Sequence, residues 1–103
     1  MNHKIKLSAL FMKEAGGAWV GQCMEYDIAA QGKTLDRAKI ALRHTLAAQL
    51  FLDARNGREP LQDIQPAPSF YKEAFDKAER IKFTLELSDD CNAEVEDVRL
   101  AVA

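Results

Sequence analysis

Glu25 and Asp27 are the two carboxylates whose spacing could do chemistry. At i and i+2 of an extended segment they would share a face, as a metal-dependent nuclease or a general acid/base pair requires. Such a nuclease also needs further carboxylates converging from other strands, and the sequence does not place them. A turn is equally a usual home for two acidic residues, either solvated or facing a partner. Gly32-Lys33-Thr34 has the ending of a phosphate loop. That loop requires a glycine five positions before the Gly-Lys pair, and Asp27 stands there. A carboxylate at that point repels phosphate, and a helix-capping turn accounts for the three residues.

His3 and His44 are isolated, and Cys23 lies between Gln22 and Met24 in a strand pattern, where cysteine is usually packing. No Ser/His/Asp or Cys/His set can be assembled from this order. Cys23 and Cys91 form neither a disulfide framework nor a metal-type spacing, which fits reduced thiols and a cytoplasmic protein. Lys33 with Arg37, and Lys39 with Arg43, lie one helical turn apart and could meet phosphates, although Asp36 sits among them. No helix-turn-helix, zinc or basic-region pattern accompanies them.

The elements that hold these residues can be read from periodicity. Ile5, Leu7, Ala9 and Phe11 alternate with Lys4, Lys6, Ser8 and Leu10, predicting a strand. Glu14-Ala15-Gly16-Gly17 predicts a hairpin turn. Strands follow at Ala18–Met24 and Ile28–Gln31, linked by the bend at Glu25-Tyr26-Asp27, so the three make an antiparallel meander. Thr34 is a helix N-cap, and Asp36 suits the positive end of the helix dipole. The helix should run from Leu35 to Arg55 and stop at Asn56-Gly57. Leu35, Ala38, Leu42, Leu46 and Leu50 form its core stripe, widened by Ala41, Ala48 and Leu52. A second apolar set, Ile40, Ala47 and Phe51, lies on its back, interrupted by His44. That set needs cover from a second helix at Ser69–Glu79, from another copy of the chain or from a partner. Pro60, Pro66 and Pro68 make residues 58–68 a linker. Ile81, Phe83, Leu85 and Leu87 predict one strand, Ser88–Asn92 a turn, and Val98, Leu100 and Val102 a final edge strand.

A chain of 103 residues with 48% hydrophobic and 29% charged composition fits one α+β domain with a modest core. Net charge is −2, which gives no global attraction to nucleic acid. Residues 88–103 form an acidic tail carrying Asp89, Asp90, Glu94, Glu96 and Asp97 against Arg99. The run Leu7–Met12 is too short for a secretory signal, and no apolar stretch approaches the roughly 18 residues of a membrane span.

The order strand–strand–strand–helix, with Trp19, Val20, Gln22, Cys23, Glu25, Tyr26, Asp27, Ile28, Gln31, Gly32, Thr34 and Leu35 at its centre, resembles the HicB-like antitoxin family. The similarity continues through Gly57–Leu61 and Pro66–Tyr71 and covers roughly residues 5–87. It implies a partial ribonuclease H-like domain at 1–87: an antiparallel sheet in the order β-β-β-α-α-β, one long helix packed on it, and an additional C-terminal strand from the tail. It implies a non-enzymatic antitoxin, without cofactor or bound metal, that masks a HicA-like messenger-RNA-cleaving toxin and forms a dimer or tetramer. The chain corresponds to a short form without the C-terminal DNA-binding domain of many relatives, so nucleic acid is not an expected partner. Trp19, Gln22, Glu25, Tyr26 and Asp27 are the expected partner contacts, the acidic pair opposing a basic toxin surface. Ile40, Ala47 and Phe51 are the expected oligomer interface. The alternatives are an orphan oligomeric domain, a degenerate metal-dependent nuclease using Glu25 and Asp27, and a nucleic-acid-binding regulator using Lys33, Arg37, Lys39 and Arg43.

Overall fold

The structure, a computed structural model, describes residues 4–87 and 93–101. The alternating N-terminal segment forms β1 (Ile5–Lys13), and the hairpin turn returns it as β2 (Trp19–Cys23). Gly17, at a φ of 94°, supplies the left-handed residue that this turn needs. A bend at 24–28 leads to β3 (Ala29–Gly32), and β1, β2 and β3 pair antiparallel as the meander requires. The long helix α1 covers Leu35–Arg55. The Thr34 hydroxyl accepts the Arg37 N–H at 3.1 Å, and Gly57 beyond the Asn56 cap is left-handed at φ 69°. The helix α2 (Ser69–Lys77), β4 (Glu79–Ile81), β5 (Leu85–Glu86) and β6 (Ala93–Ala101) complete the fold.

Two expectations about the sheet are corrected. The sheet is mixed, in the order β3-β2-β1-β6-β4 with β5 also on β6. The strand drawn from the acidic tail is therefore no edge strand: it lies between β1 and β4, and it runs parallel to β1. Burial explains the placement. Ala93, Val95 and Val98 are each at most 3% exposed, enclosed by strands on either side and by the helix packed on that face. Leu7 pairs with Val95 but Ser8 with Asp97, so Glu96 is an extra residue bulged out of β6. The bulge lets Val95 and Val98, three apart, face the same core.

The single strand expected over 81–87 is instead β4 and β5. Ile81 pairs with Val98 and Leu85 with Val95, so four steps on one strand oppose three on the other. An unbroken ladder cannot absorb that difference. The chain turns at Ile81–Phe83, where the Phe83 N–H reaches the Ile81 carbonyl at 2.9 Å. The turn expected at 88–92 lies outside the described residues, together with Cys91, His3 and Val102.

α1 lays Ala38, Leu42, Leu46 and Leu50 on one sheet face, against Leu7, Ala9, Phe11, Cys23, Val95 and Val98. α2 does not cover the back of α1. It lies on the other face of the sheet, where Arg99, in register with Leu10, stacks on Phe75 at 4.2 Å and donates to the Phe75 carbonyl at 3.0 Å. Leu10 is fully buried on that face. The back of α1 stays open: Ile40 is 45% and Phe51 61% exposed, and Ala47 is half-buried.

Asp53 continues the core stripe of α1 by one more step and is 2% exposed. Its carboxylate accepts the Leu61 N–H at 2.7 Å and the Gln49 amide at 3.0 Å, with Arg58 Nε at 3.9 Å. These bonds hold buried Leu61 at φ 59°, a conformation that costs a branched side chain energy and persists only when its surroundings impose it.

Gly32 sets how closely α1 approaches the sheet. A Cβ there would overlap the backbone nitrogen of Ala38 and the carbonyl carbon of Arg37. Gly32→Ala should therefore lower the unfolding free energy by about 1–3 kcal/mol. Gly16→Ala, where a Cβ meets nothing within 4 Å, should change little. Urea titrations of the two variants test this, and equal stabilities would remove the close approach as the reason for the glycine.

Candidate functional site

The bend between β2 and β3 is built from side chains that replace missing strand hydrogen bonds. β2 leaves β1 after Cys23, whose register partner is Ala9. The Met24 N–H still reaches the Ser8 carbonyl at 2.9 Å, but the Ser8 N–H faces the same way with no strand carbonyl opposite it. Glu25 supplies one, its carboxylate accepting the Ser8 N–H at 2.7 Å. Gln22 spans the bend from the β2 side. Its amide donates to the Cys23 carbonyl at 2.9 Å and to the Asp27 carboxylate at 3.0 Å. The linker after α1 closes the bend from outside: the Asp27 N–H donates to the Gln65 carbonyl at 2.6 Å and the Ala67 N–H to the Met24 carbonyl at 3.0 Å.

The five expected partner contacts therefore divide. Gln22 is corrected outright: at 2% exposed it faces no partner, and its amide is spent within the bend. Glu25 and Asp27 are exposed, and they do not share a strand face, because the chain bends there and each is turned to a different neighbour. Tyr26 is half-buried and packs on the core. Trp19 also packs on the core, at the far end of β2, four residues or roughly 13 Å of strand from Cys23. Tyr26, Glu25 and Asp27 form one exposed corner, and Trp19 belongs to another. Ser8, Gln65 and Ala67 complete the bend and were missed in the sequence, since they contribute only backbone groups.

Among the described residues no three His, Cys, Asp or Glu side chains converge as metal ligands would. Cys23 is fully buried. Burial pushes its thiol from the ordinary 9.0 up to about 11, with the Glu25 charge beside it acting in the same direction. That is the opposite of what activates a cysteine nucleophile. The basic residues Lys33, Arg37 and Lys39 also separate. Lys39 sits 4.0 Å over the Phe83 ring on one flank, whereas Lys33 and Arg37 line a shallow groove of about 640 Å³ on the other. No helix among the described residues is long and apolar enough to cross a membrane. The chain matches no family profile, no curated protein and no solved structure.

Two expected outcomes follow from the bend. Glu25→Ala should destabilise the chain by about 1 kcal/mol by leaving the Ser8 N–H without its acceptor. Glu25→Gln, which keeps an oxygen there, should lose less. Chemical denaturation of both variants is the check, and equal losses would mean that the acceptor is not what counts. The raised Cys23 pKa favours the neutral thiol in the folded state. Its contribution to stability is whole below pH 9 and is lost as pH rises toward 11. The stability difference between the chain and its Cys23→Ala variant should therefore shrink across that window, and a constant difference would show that the thiol does not titrate with folding.

Proposed function

We propose that this chain acts by binding rather than by chemistry, as a HicB-like antitoxin domain that masks a HicA-like messenger-RNA-cleaving toxin. The observation that carries the proposal is the bend at 22–27. Its two carboxylates are committed to Ser8 and Gln22, in a corner braced by two backbone hydrogen bonds from the linker. A preorganised acidic corner with a tyrosine beside it suits the recognition of a basic protein surface, because little ordering remains to be done on binding. Glu25, Tyr26 and Asp27 are the proposed contacts, with Gln22 holding Asp27 in place. Trp19, half-buried at the other end of β2, is a contact only if the partner reaches along the hairpin. The finer fold assignment, a partial ribonuclease H-like domain, is part of the same proposal.

The exposed apolar back of α1 supports self-association as a second element of this reading. Ile40, Ala47 and Phe51 would form the seam between copies, since large apolar side chains gathered on one helix face commonly mark an interface.

Tagged chain captured from its native cell, with the retained proteins identified by mass spectrometry, tests the masking. A small basic protein in near-equal amount is expected, with ribonuclease activity alone and none in the complex. Loss of that protein with Asp27→Lys but not with Phe51→Asp would place it on the acidic corner. Capture of the chain alone would sink the masking reading. Phe51→Asp should in turn dissociate the oligomer in light scattering without loss of stability, and an unchanged mass would remove the back of α1 as its seam.

A further inference from the structure

We infer that the free edge of β3, with the groove beside it, is a docking site for an extended acidic segment of a partner protein, taken up as an added strand. This goes beyond the masking reading and does not rest on it. The edge is identified by hydrogen-bond alternation. Cys23 N–H donates to the Ile28 carbonyl at 2.8 Å, which makes that pair a hydrogen-bonded one. Hydrogen-bonded pairs alternate in an antiparallel ladder, so Ala30 with Gly21 and Gly32 with Trp19 are the next two. Ala29 and Gln31 therefore point their N–H and C=O groups away from β2. β3 ends the sheet, and neither residue has a backbone partner on that side among the described residues.

The two ends of the sheet are finished differently. The other edge strand, β4, carries Glu79 and Arg80 and is followed by Lys82, charges of the kind that discourage strand addition. β3 reads Ala-Ala-Gln-Gly, with neither charge nor proline. Its exposed edge opens into the groove of about 640 Å³ bounded by Gln31, Gly32, Thr34, Lys33, Arg37 and the α1 side chains Ile40 and His44. No carboxylate lines it, and neither Lys33 nor Arg37 ion-pairs with a carboxylate among the described residues. Asp36 is the nearest acidic residue in sequence, about 100° round the helix from Arg37. The amino end of α1 adds its own positive field.

An added strand presents alternate residues to this groove. Those beside Lys33 and Arg37 would be acidic. A second copy, paired antiparallel across a two-fold axis, is the competing occupant: each Lys33 would then lie opposite residues 27–29 of the other copy, and the concentration dependence of the free chain's protection tests it.

The test uses the isotope-labelled full chain and a capped peptide of about ten residues that alternates glutamate with valine. Amide shifts and hydrogen exchange are read by NMR. The glutamate peptide should move the Ala29 and Gln31 resonances, slow exchange of both amides about tenfold or more, and bind more weakly as salt rises. The same peptide with lysine for glutamate should do none of this. Gln31→Pro, which removes an outward donor at an edge position where proline is tolerated, should abolish binding. Lys33→Glu combined with Arg37→Glu should cancel the preference for the acidic peptide. Three results would each overturn the inference: no effect of the glutamate peptide on these two amides, equal binding of the lysine peptide, or protection of both amides in the free chain that grows with its concentration. The last would assign the edge to a second copy.

Discussion

The parallel pairing of β1 with β6 is the constraint on which the rest of the structure depends. It places two strands from opposite ends of the described chain side by side at the centre of the sheet, flanked by β2 on one side and β4 and β5 on the other. The bulge at Glu96 then keeps Val95 and Val98 on the face that α1 covers. On its other side the same stretch of β6 is one residue short of the segment it pairs with, and 79–86 breaks into two short strands. Salt bridges from Lys4 to Glu94 and from Lys6 to Glu96, both at 3.8 Å, line the pair but are solvent-exposed and add little. The burial of apolar side chains on both faces of these two strands does most of the stabilising.

Local structure was plain in the sequence, and long-range pairing was not. The meander, the Thr34 cap and the bounds of α1 follow from turn chemistry and periodicity within a few residues of each other. The parallel partner of β1 could not be read in that way, because Val98, Leu100 and Val102 alternate with Arg99 and Ala101 in the sequence just as an edge strand would. The acidic character of residues 88–103 pointed outward, although Glu94, Glu96 and Asp97 occupy only some positions of a strand that buries Ala93, Val95 and Val98. The α2 helix was set on the wrong side of the sheet for a related reason. Its apolar side chains were legible, but nothing local distinguishes a helix that covers α1 from one that covers Leu10 and stacks Phe75 on Arg99. Asp53 could have been found: it falls in phase with Leu42, Leu46 and Leu50, where a carboxylate must have a partner.

At the candidate site the residue types were informative and their roles were not. Glu25 and Asp27 read as a pair because they are two apart, yet pairing presumes a strand, and the chain bends there to let Glu25 stand in for a strand carbonyl. Gln22 read as a surface contact and is an internal strut. Such roles are set by which backbone groups the fold leaves unmatched, and those are known only once the register of β1 and β2 is known. The glycine at 32 illustrates the same point from the other side. Its position before Lys33 and Thr34 marks a helix-capping turn, but nothing local shows that a Cβ there would meet the backbone of the helix that follows.

The central position of β6 also orders events in time. A ribosome makes β1 first, and its partner in the middle of the sheet comes from residues 93–101, with Ile5 waiting for Ala93. The hairpin and α1 can assemble early, since their contacts are local. Until β6 arrives, one long side of β1 remains an unsatisfied row of backbone donors and acceptors, next to Leu7, Leu10 and Phe11. Closure of that gap requires the longest loop in the fold, so it is the slow step by the usual dependence of folding rate on sequence separation. A nascent chain therefore keeps its hydrophobic centre open from the completion of β1 to the emergence of β6, and its solubility during that interval rests on elements that are finished before the centre is.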